Sequence, residues 1–244
     1  MKSILKQYLS VILLLLCFSL PSIANELVPH TASYTAKIKK GISIKGQAIR
    51  ELKRSSDGQW LYSFNVDSFV ADINESTLLS WDDQHVIPKV YQYKLSVFLA
   101  RDKKKEVHFD WKTMSAINPI KKSGWSIKNI PIHTLDRLSY QLQLGMDLQS
   151  GKKEMFYRVA HKGKLRENQF KVTGEEKINT TLGFVDSITV IKVREKSKKR
   201  KTHMWFSKQY PLLLLKMIQV EKNGDEYEIN INHAVIDGKN IIFN

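Results

Sequence analysis

Most of this chain alternates. Tyr34, Ala36 and Ile38 are separated by polar residues, Ile42 and Ile44 resume after Gly41, and Trp60, Tyr62, Phe64 and Val66 repeat the period in aromatic form. A period of two sends every second side chain to the same face of a strand. Tyr91, Tyr93, Leu95 and Val97 follow, then Val107, Phe109 and Trp111, Met155, Tyr157 and Val159, Phe170 and Val172, and Ile188 and Val190. "THMWF", "LLLLKMIQV" and "YEINI" supply the last strands. Turn-forming clusters separate them: "SSDG" at 55–58, "WDDQ" at 81–84, the basic "RDKKK" at 101–105, "HKGK" at 161–164 and "KNGD" at 222–225. Gly46 marks a bulge or a close backbone approach, and Pro88 an edge or a strand start. Leu212 to Leu215 is a continuous apolar run of the length of a strand buried on both faces. The pattern predicts a mainly β fold of about ten to twelve strands joined by short loops. Such an antiparallel meander curls toward a half-barrel at this size rather than staying flat.

One segment pulls two ways. Leu138, Tyr140, Leu142, Leu144, Met146 and Leu148 alternate with polar residues or glycine, which reads as a long strand. Yet the segment has no Val, Ile or Thr, and its Leu, Gln and Met are helix formers. Asp136, with Thr134 just before it, offers an N-cap oxygen, and Gly151 offers a C-terminal stop. We expect a helix near 136–149, with the long strand as the rival. Wound as a helix it is apolar on more than one side, as suits an element packed into the concave face of the sheet and enclosed there.

The N-terminus predicts export. Lys2 and Lys6 precede a short apolar core from Val11 to Phe18, Pro21 breaks it, and Ser22-Ile23-Ala24 has the small residues of a signal-peptidase site. The apolar stretch falls short of the roughly 20 residues of a membrane span. The expected products are a signal peptide over 1–24, cut after Ala24, and one β-rich periplasmic domain over 25–244, with no transmembrane span once the leader is removed. Cys17, the only cysteine, leaves with the leader. The mature chain then has no disulfide and must hold itself by its core, and about 220 residues bury on the order of 70% of the unfolded chain's surface.

Charge narrows the partners. Thirty-nine Lys and Arg oppose 24 Asp and Glu, a net charge of +15 that falls to +13 without the two leader lysines. The excess is clustered, above all in Lys103, Lys104 and Lys105 and in the run that includes Lys198, Lys199, Arg200 and Lys201. In an exported protein this excludes nucleic acid and leaves anionic lipid or envelope glycan as the partner of such a surface. The plain alternative is a solvated set of loop tips that guard strand edges.

Five stretches in this order resemble the exported bacterial family known as domain of unknown function 3108 (DUF3108): "YTAKIKKGISIKGQA", "LLSWDDQHVIPKVYQY" with "HFDW" after it, "HTLDRLSYQLQL", "GFVDSITV" and "HMWFSKQYPLLLLKM". They run from residue 34 to residue 217. The resemblance implies a secreted or periplasmic β-rich protein whose Asp136-x-x-Ser139 opens a helix, and so favours residue type over alternation. Its wider look is similar to curled half-barrel carriers of lipids and lipoproteins. It supplies no catalytic residues, and the lysines between Glu195 and Thr202 depart from it.

Candidate chemistry is sparse. The seven histidines (30, 85, 108, 133, 161, 203 and 233) show no HxH or HExxH spacing, so no metal site is predicted, and His133 is assigned to the helix cap. Asp82 and Asp83 read as turn residues rather than an acid–base pair. Ser139 lacks a nucleophile elbow, and no cofactor motif is present, so neither catalytic residues nor a cofactor are expected. The aromatic strands remain. Trp60, Tyr62, Phe64, Tyr91 and Tyr93, with Leu138, Leu142 and Met146 of the helix, are the candidate lining of an apolar ligand cavity, with ordinary core packing as the alternative. The expected function is non-enzymatic: binding or carrying an apolar ligand in the cell envelope. A structural or protein-interaction role with a filled core comes second, and an envelope glycan-acting enzyme third.

Overall fold

The strands fall in chain order as β1 (His30–Lys40), β2 (Ile42–Arg54), β3 (Trp60–Ser68), β4 (Ala71–Trp81), β5 (Val86–Val97), β6 (Lys103–Asp110), β7 (Ser115–Asn118) and β8 (Trp125–Lys128). The helix α1 (Ser139–Gln149) comes next. It is followed by β9 (Glu154–His161), β10 (Lys164–Thr180), β11 (Gly183–Val193), β12 (Lys201–Ser207), β13 (Leu214–Val220), β14 (Glu226–Ile236) and β15 (Lys239–Asn240). This computed structural model describes residues 26–40, 42–82, 84–97, 99–193 and 200–243. The expected leader with its expected cut after Ala24, together with Gly41, Asp83, Lys198 and Lys199, lies outside the described residues.

Among the described residues, all fifteen strands belong to one antiparallel sheet in the order β8-β7-β6-β5-β4-β3-β2-β1-β14-β13-β12-β11-β10-β9, with β15 added beside β14. The chain meanders from β1 out to β8, crosses over through α1, and meanders back from β9 until β14 pairs with β1. The result is a nearly closed, barrel-like sheet whose two edges are β8 and β9. The crossing segment stitches those edges. Ile130 N–H donates to Met114 O at 2.9 Å, Leu135 N–H to Arg158 O at 2.8 Å, and Ala160 N–H to Leu135 O at 2.9 Å. Leu135 thus forms a parallel bridge to Val159 and covers part of an edge that would otherwise offer free hydrogen-bonding groups.

The strand count exceeds the ten to twelve expected from alternation. β7 and β8 have four residues each and β15 has two, too few to show a period. In β4 the first seven residues, "ADINEST", have only Ala71 and Ile73 as apolar side chains, and their membership is set by pairing with β3 and β5. Lys103–Lys105, read as a turn, instead begin β6 and pair with Leu95, Lys94 and Tyr93. Pro88 sits within β5 opposite Leu79, where the register shifts between Leu78 and Leu79, and that irregularity absorbs its missing N–H.

The segment at 138–148 is a helix. Asp136 Oδ1 accepts from Leu138 N–H at 2.7 Å and Ser139 N–H at 2.8 Å, while Ser139 Oγ accepts from Asp136 N–H at 2.9 Å. This reciprocal pattern satisfies amides that a helix start leaves free. His133, expected at the cap, stands outside it. The opposite end closes where Gly151 takes φ +80° and Lys152 N–H reaches Asp147 O at 3.0 Å.

Leu138, Leu142, Leu144, Met146 and Leu148 are all buried. The helix can be apolar on several sides because it is surrounded. Gln143 bonds the start of β5, Tyr157 of β9 donates to Asp147 at 2.7 Å, and Tyr140 stacks 5.5 Å from Phe170 of β10. A Cβ on Gly145 would come within 3.0 Å of Pro211 O, so the loop before β13 packs directly on the helix backbone. Leu213, Leu214 and Leu215 are each almost fully buried, as the apolar run implies. The β10–β11 turn is tied to the neighbouring β14 through Thr181, whose Oγ1 donates to Ile231 O (2.9 Å) and Asn232 O (2.7 Å). Fully burying each such side chain stabilises the fold by about 1.5–3 kcal/mol.

Candidate functional site: a cation-rimmed cleft at the open seam

The sheet fails to close between β8 and β9, and a cleft of about 870 Å³ opens there. That lies within the ~300–1,000 Å³ usual for ligand sites. Its walls come from β6, the β7–β8 hairpin, the first residues before α1, and the β9–β10 turn.

β6 explains the character of the site. Alternation turns Phe109, Val107, Lys105 and Lys103 to one face, so the inner surface of a single strand passes from apolar to cationic along its length. Val107 is buried and pairs with Tyr91, while Lys105 pairs with Tyr93 and holds its ammonium 4.8 Å from that ring. Trp125 on β8 and Ala160 on β9 extend the apolar wall. The rim carries Arg101, Lys103, Lys104, Lys105, Lys122, Arg137 and Lys162, seven cations against the two carboxylates of Asp102 and Glu106. Asp102 already pairs with Lys94 at 3.2 Å, and Glu106 with His108. The cleft is therefore strongly positive.

Two groups register that potential. Burial, reinforced by Arg137, Lys105, Lys162 and Arg166, holds His161 at about 4, so it is neutral at physiological pH. Burial and then Arg137 and Lys162 also lower Lys105. In the cleft wall, Tyr91 donates through its hydroxyl to Glu75 Oε1 at 2.5 Å, and burial raises the tyrosine far above its ordinary range.

The sequence-derived residues divide. Tyr91, Lys103, Lys104 and Lys105 come together in the cleft. Trp60, Tyr62, Leu138, Leu142 and Met146 lie in the packed core, with Phe64 and Tyr93 partly buried against it. Tyr62 and Phe64 face Arg50, whose guanidinium carbon lies 5.8 and 5.1 Å from their ring centroids. Arg200 and Lys201 lie at the start of β12 and do not line the cleft; Arg200 pairs with Glu221. Sequence reasoning missed Arg137, Lys162 and His161 as site residues, because only the β9 edge and the helix approach bring them to β6. Arg50 also gave no signal beyond an arginine at an inward position between Ala48 and Leu52.

A second cluster lies where the β4–β5 loop meets the turn before α1. Asp82, His85 and His133 place their ligating atoms within 4.8 Å of one another. These three are the residues suited to hold a metal ion among those described.

A crystal structure of a β-barrel-like protein of the domain of unknown function DUF1849 from Brucella abortus superposes with a TM-score of 0.58. It is 12% identical, with 86% of this chain and 98% of that one covered, and so shares the fold alone. The structure of MucB in complex with MucA(peri) gives a TM-score of 0.33 at 9% identity, covering 87% of this chain and 52% of that one. A DUF1329 family protein from Desulfovibrio piger gives 0.24 at 11% identity, covering 86% and 85%. No curated protein matches the sequence. Among the described residues no helix is long and apolar enough to cross a membrane. The family model described as a protein of unknown function, DUF3108, matches residues 41–230, which take in the whole crossing from β8 through α1 to β9, and the chain belongs to that family.

Proposed function

We propose that the cleft binds an amphipathic anion, an acylated phosphate or carboxylate of the bacterial cell envelope, and that the protein shelters or carries it without making or breaking bonds. The observation that carries this reading is the inner face of β6, which turns from Val107 to Lys105 and Lys103 within one cleft, with Phe109 continuing the apolar end into the core. An acyl chain fits against Val107, Tyr91 and Trp125, and its charged head meets Lys103, Lys105 and Arg137. Each methylene removed from water contributes about 0.8 kcal/mol, so the chain supplies affinity while the rim selects charge and speeds encounter.

Native mass spectrometry of gently purified protein, with fluorescence titration of anionic and neutral acyl probes, tests the reading. Anionic probes are expected to bind at least tenfold tighter than neutral ones of equal length, and Lys103→Glu with Lys105→Glu to abolish that preference. Equal binding of both probes by the wild type, or no binding at all, overturns it.

A second reading, docking of an envelope protein, rests on a different face. Phe184 and Ile242, both exposed, line a groove with Lys208 and Asp186. Crosslinking from Phe184 in intact cells tests it, and recovery of no protein partner rejects it.

A further inference from the structure

We infer that Asp82, His85 and His133 form a binding site for a divalent transition-metal ion, with zinc the best chemical fit. One carboxylate and two imidazoles converge from segments far apart in the chain, with all ligating atoms within 4.8 Å of one another. Ligand atoms around a tetrahedral zinc stand roughly 3.4 Å apart, given bonds of about 2.0–2.1 Å. Small side-chain rotations of the two rings, whose centroids are 3.7 Å apart, complete the approach. The set leaves a coordination position open for water or an exchangeable ligand.

The fold holds both halves of this site. Gln143 of α1 is buried and takes the loop on either side of His85: its Nε2 donates to Gln84 O at 3.0 Å and its Oε1 accepts from Val86 N–H at 2.7 Å. Asp82 Oδ1 accepts from Gln84 N–H at 3.1 Å and His85 N–H at 2.6 Å, which fixes the turn and the carboxylate together. His133 is positioned by the turn that leads to the helix cap, where Thr134 Oγ1 donates to Pro131 O at 2.7 Å. One buried helix side chain and one helix approach therefore orient all three residues.

Two further observations point to a ligand. His133 Nδ1 is buried and has no hydrogen-bond partner, a state that buried polar atoms rarely keep without a reason. His133 also holds φ +63°, the left-handed region that a residue other than glycine enters at a cost, and such strain collects at functional positions. A metal ion satisfies the ring nitrogen and offsets the strain. Bound there, it would clamp the β4–β5 loop to the start of the helix. Asp82 is exposed, so an ion can enter from solvent. The site is independent of the cleft reading.

The test uses the full untagged chain after chelator dialysis. Titration with zinc by calorimetry, and with cobalt by its visible absorption, is expected to give one equivalent at micromolar affinity or tighter, with a rise in melting temperature. His85→Ala and Asp82→Asn should each weaken binding at least tenfold; the asparagine preserves the turn. His133→Gly should abolish the tight site yet fold, because glycine accepts that φ. Lys103→Glu with Lys105→Glu should bind metal as wild type does. No binding at 100 µM zinc, or undiminished binding in the His85 and His133 variants, overturns the proposal.

Discussion

Arg50 on β2 donates through Nη2 to Gln141 Oε1 on α1 at 2.8 Å, and this bond ties the middle of the sheet to the helix inside it. Arg50 is buried, and its Nε has no partner, so the guanidinium depends on Gln141, on the Tyr62 hydroxyl and on the rings of Tyr62 and Phe64. The two ends of the bond are unequal. Gln141→Leu strands a buried charge and is expected to destabilise the fold by about 2 kcal/mol. Arg50→Met removes the charge and fills similar space, so its effect should fall near zero. Urea denaturation of the two variants checks this, and equal losses would refute the asymmetry.

Gly145 makes a propensity argument fail in a defined direction. Alanine in a helix interior gains about 1 kcal/mol over glycine. Here the new methyl would meet Pro211 O and Leu212 Cδ2 at 3.0 Å and Leu212 Cα at 3.1 Å. Overpacking costs about 1–3 kcal/mol, so Gly145→Ala should lower the melting temperature despite its better helix former. Calorimetry decides; a rise would mean that the 211–212 loop yields freely.

Burial pushes the Asp136 carboxyl up to about 6, against the hydrogen bonds that Oδ1 accepts from Ser139, Leu138 and Thr77, which favour its ionised form. Its folded value stands above its unfolded one. The stability this contributes is fully present below pH ~4 and is lost as pH rises through about 6. Asp136→Asn keeps an oxygen for the cap amides and has no such titration. The variant should therefore show a flatter stability profile than wild type between about pH 4 and 6, measured by chemical denaturation at each pH.

His161 works with the opposite sign. Its folded value of about 4 lies below the unfolded value near 6.5, so its contribution is present above pH 6.5 and lost as pH falls toward 4. An anion in the cleft offsets the cations that depress it. Imidazole titration by NMR should show His161 rising by about one unit when a saturating anionic amphiphile is present, and no movement would place the ligand elsewhere.

The strands with aromatic or β-branched alternation, such as β3 and β5, were legible because half their side chains meet one core. The helix was legible from residue type, and from Asp136 and Ser139, although its alternation argued for a strand. Alternation misleads when an element is enclosed: both polar and apolar faces of 139–149 find partners, as Gln143 and Asp147 do. β4 was not legible in its first seven residues, since "ADINEST" has only Ala71 and Ile73 as apolar side chains and its neighbours recruit it. The cleft was half legible. Lys103–Lys105 stand out as a run, but His161, Arg137 and Lys162 enter by closure of the sheet, which leaves no local trace. The histidine cluster is the same case, since His85 and His133 meet only across the helix approach.

The pairing of His30 with Ile236 places one flank of the first strand against residues made some two hundred positions later. During synthesis that flank has no native neighbour until β14 emerges, so the ladder that joins the two halves can only form last. Assembly of this chain is then governed by its most distant contacts. An unpaired strand waiting that long is also the place where premature association with another copy, or protection by a chaperone, would act.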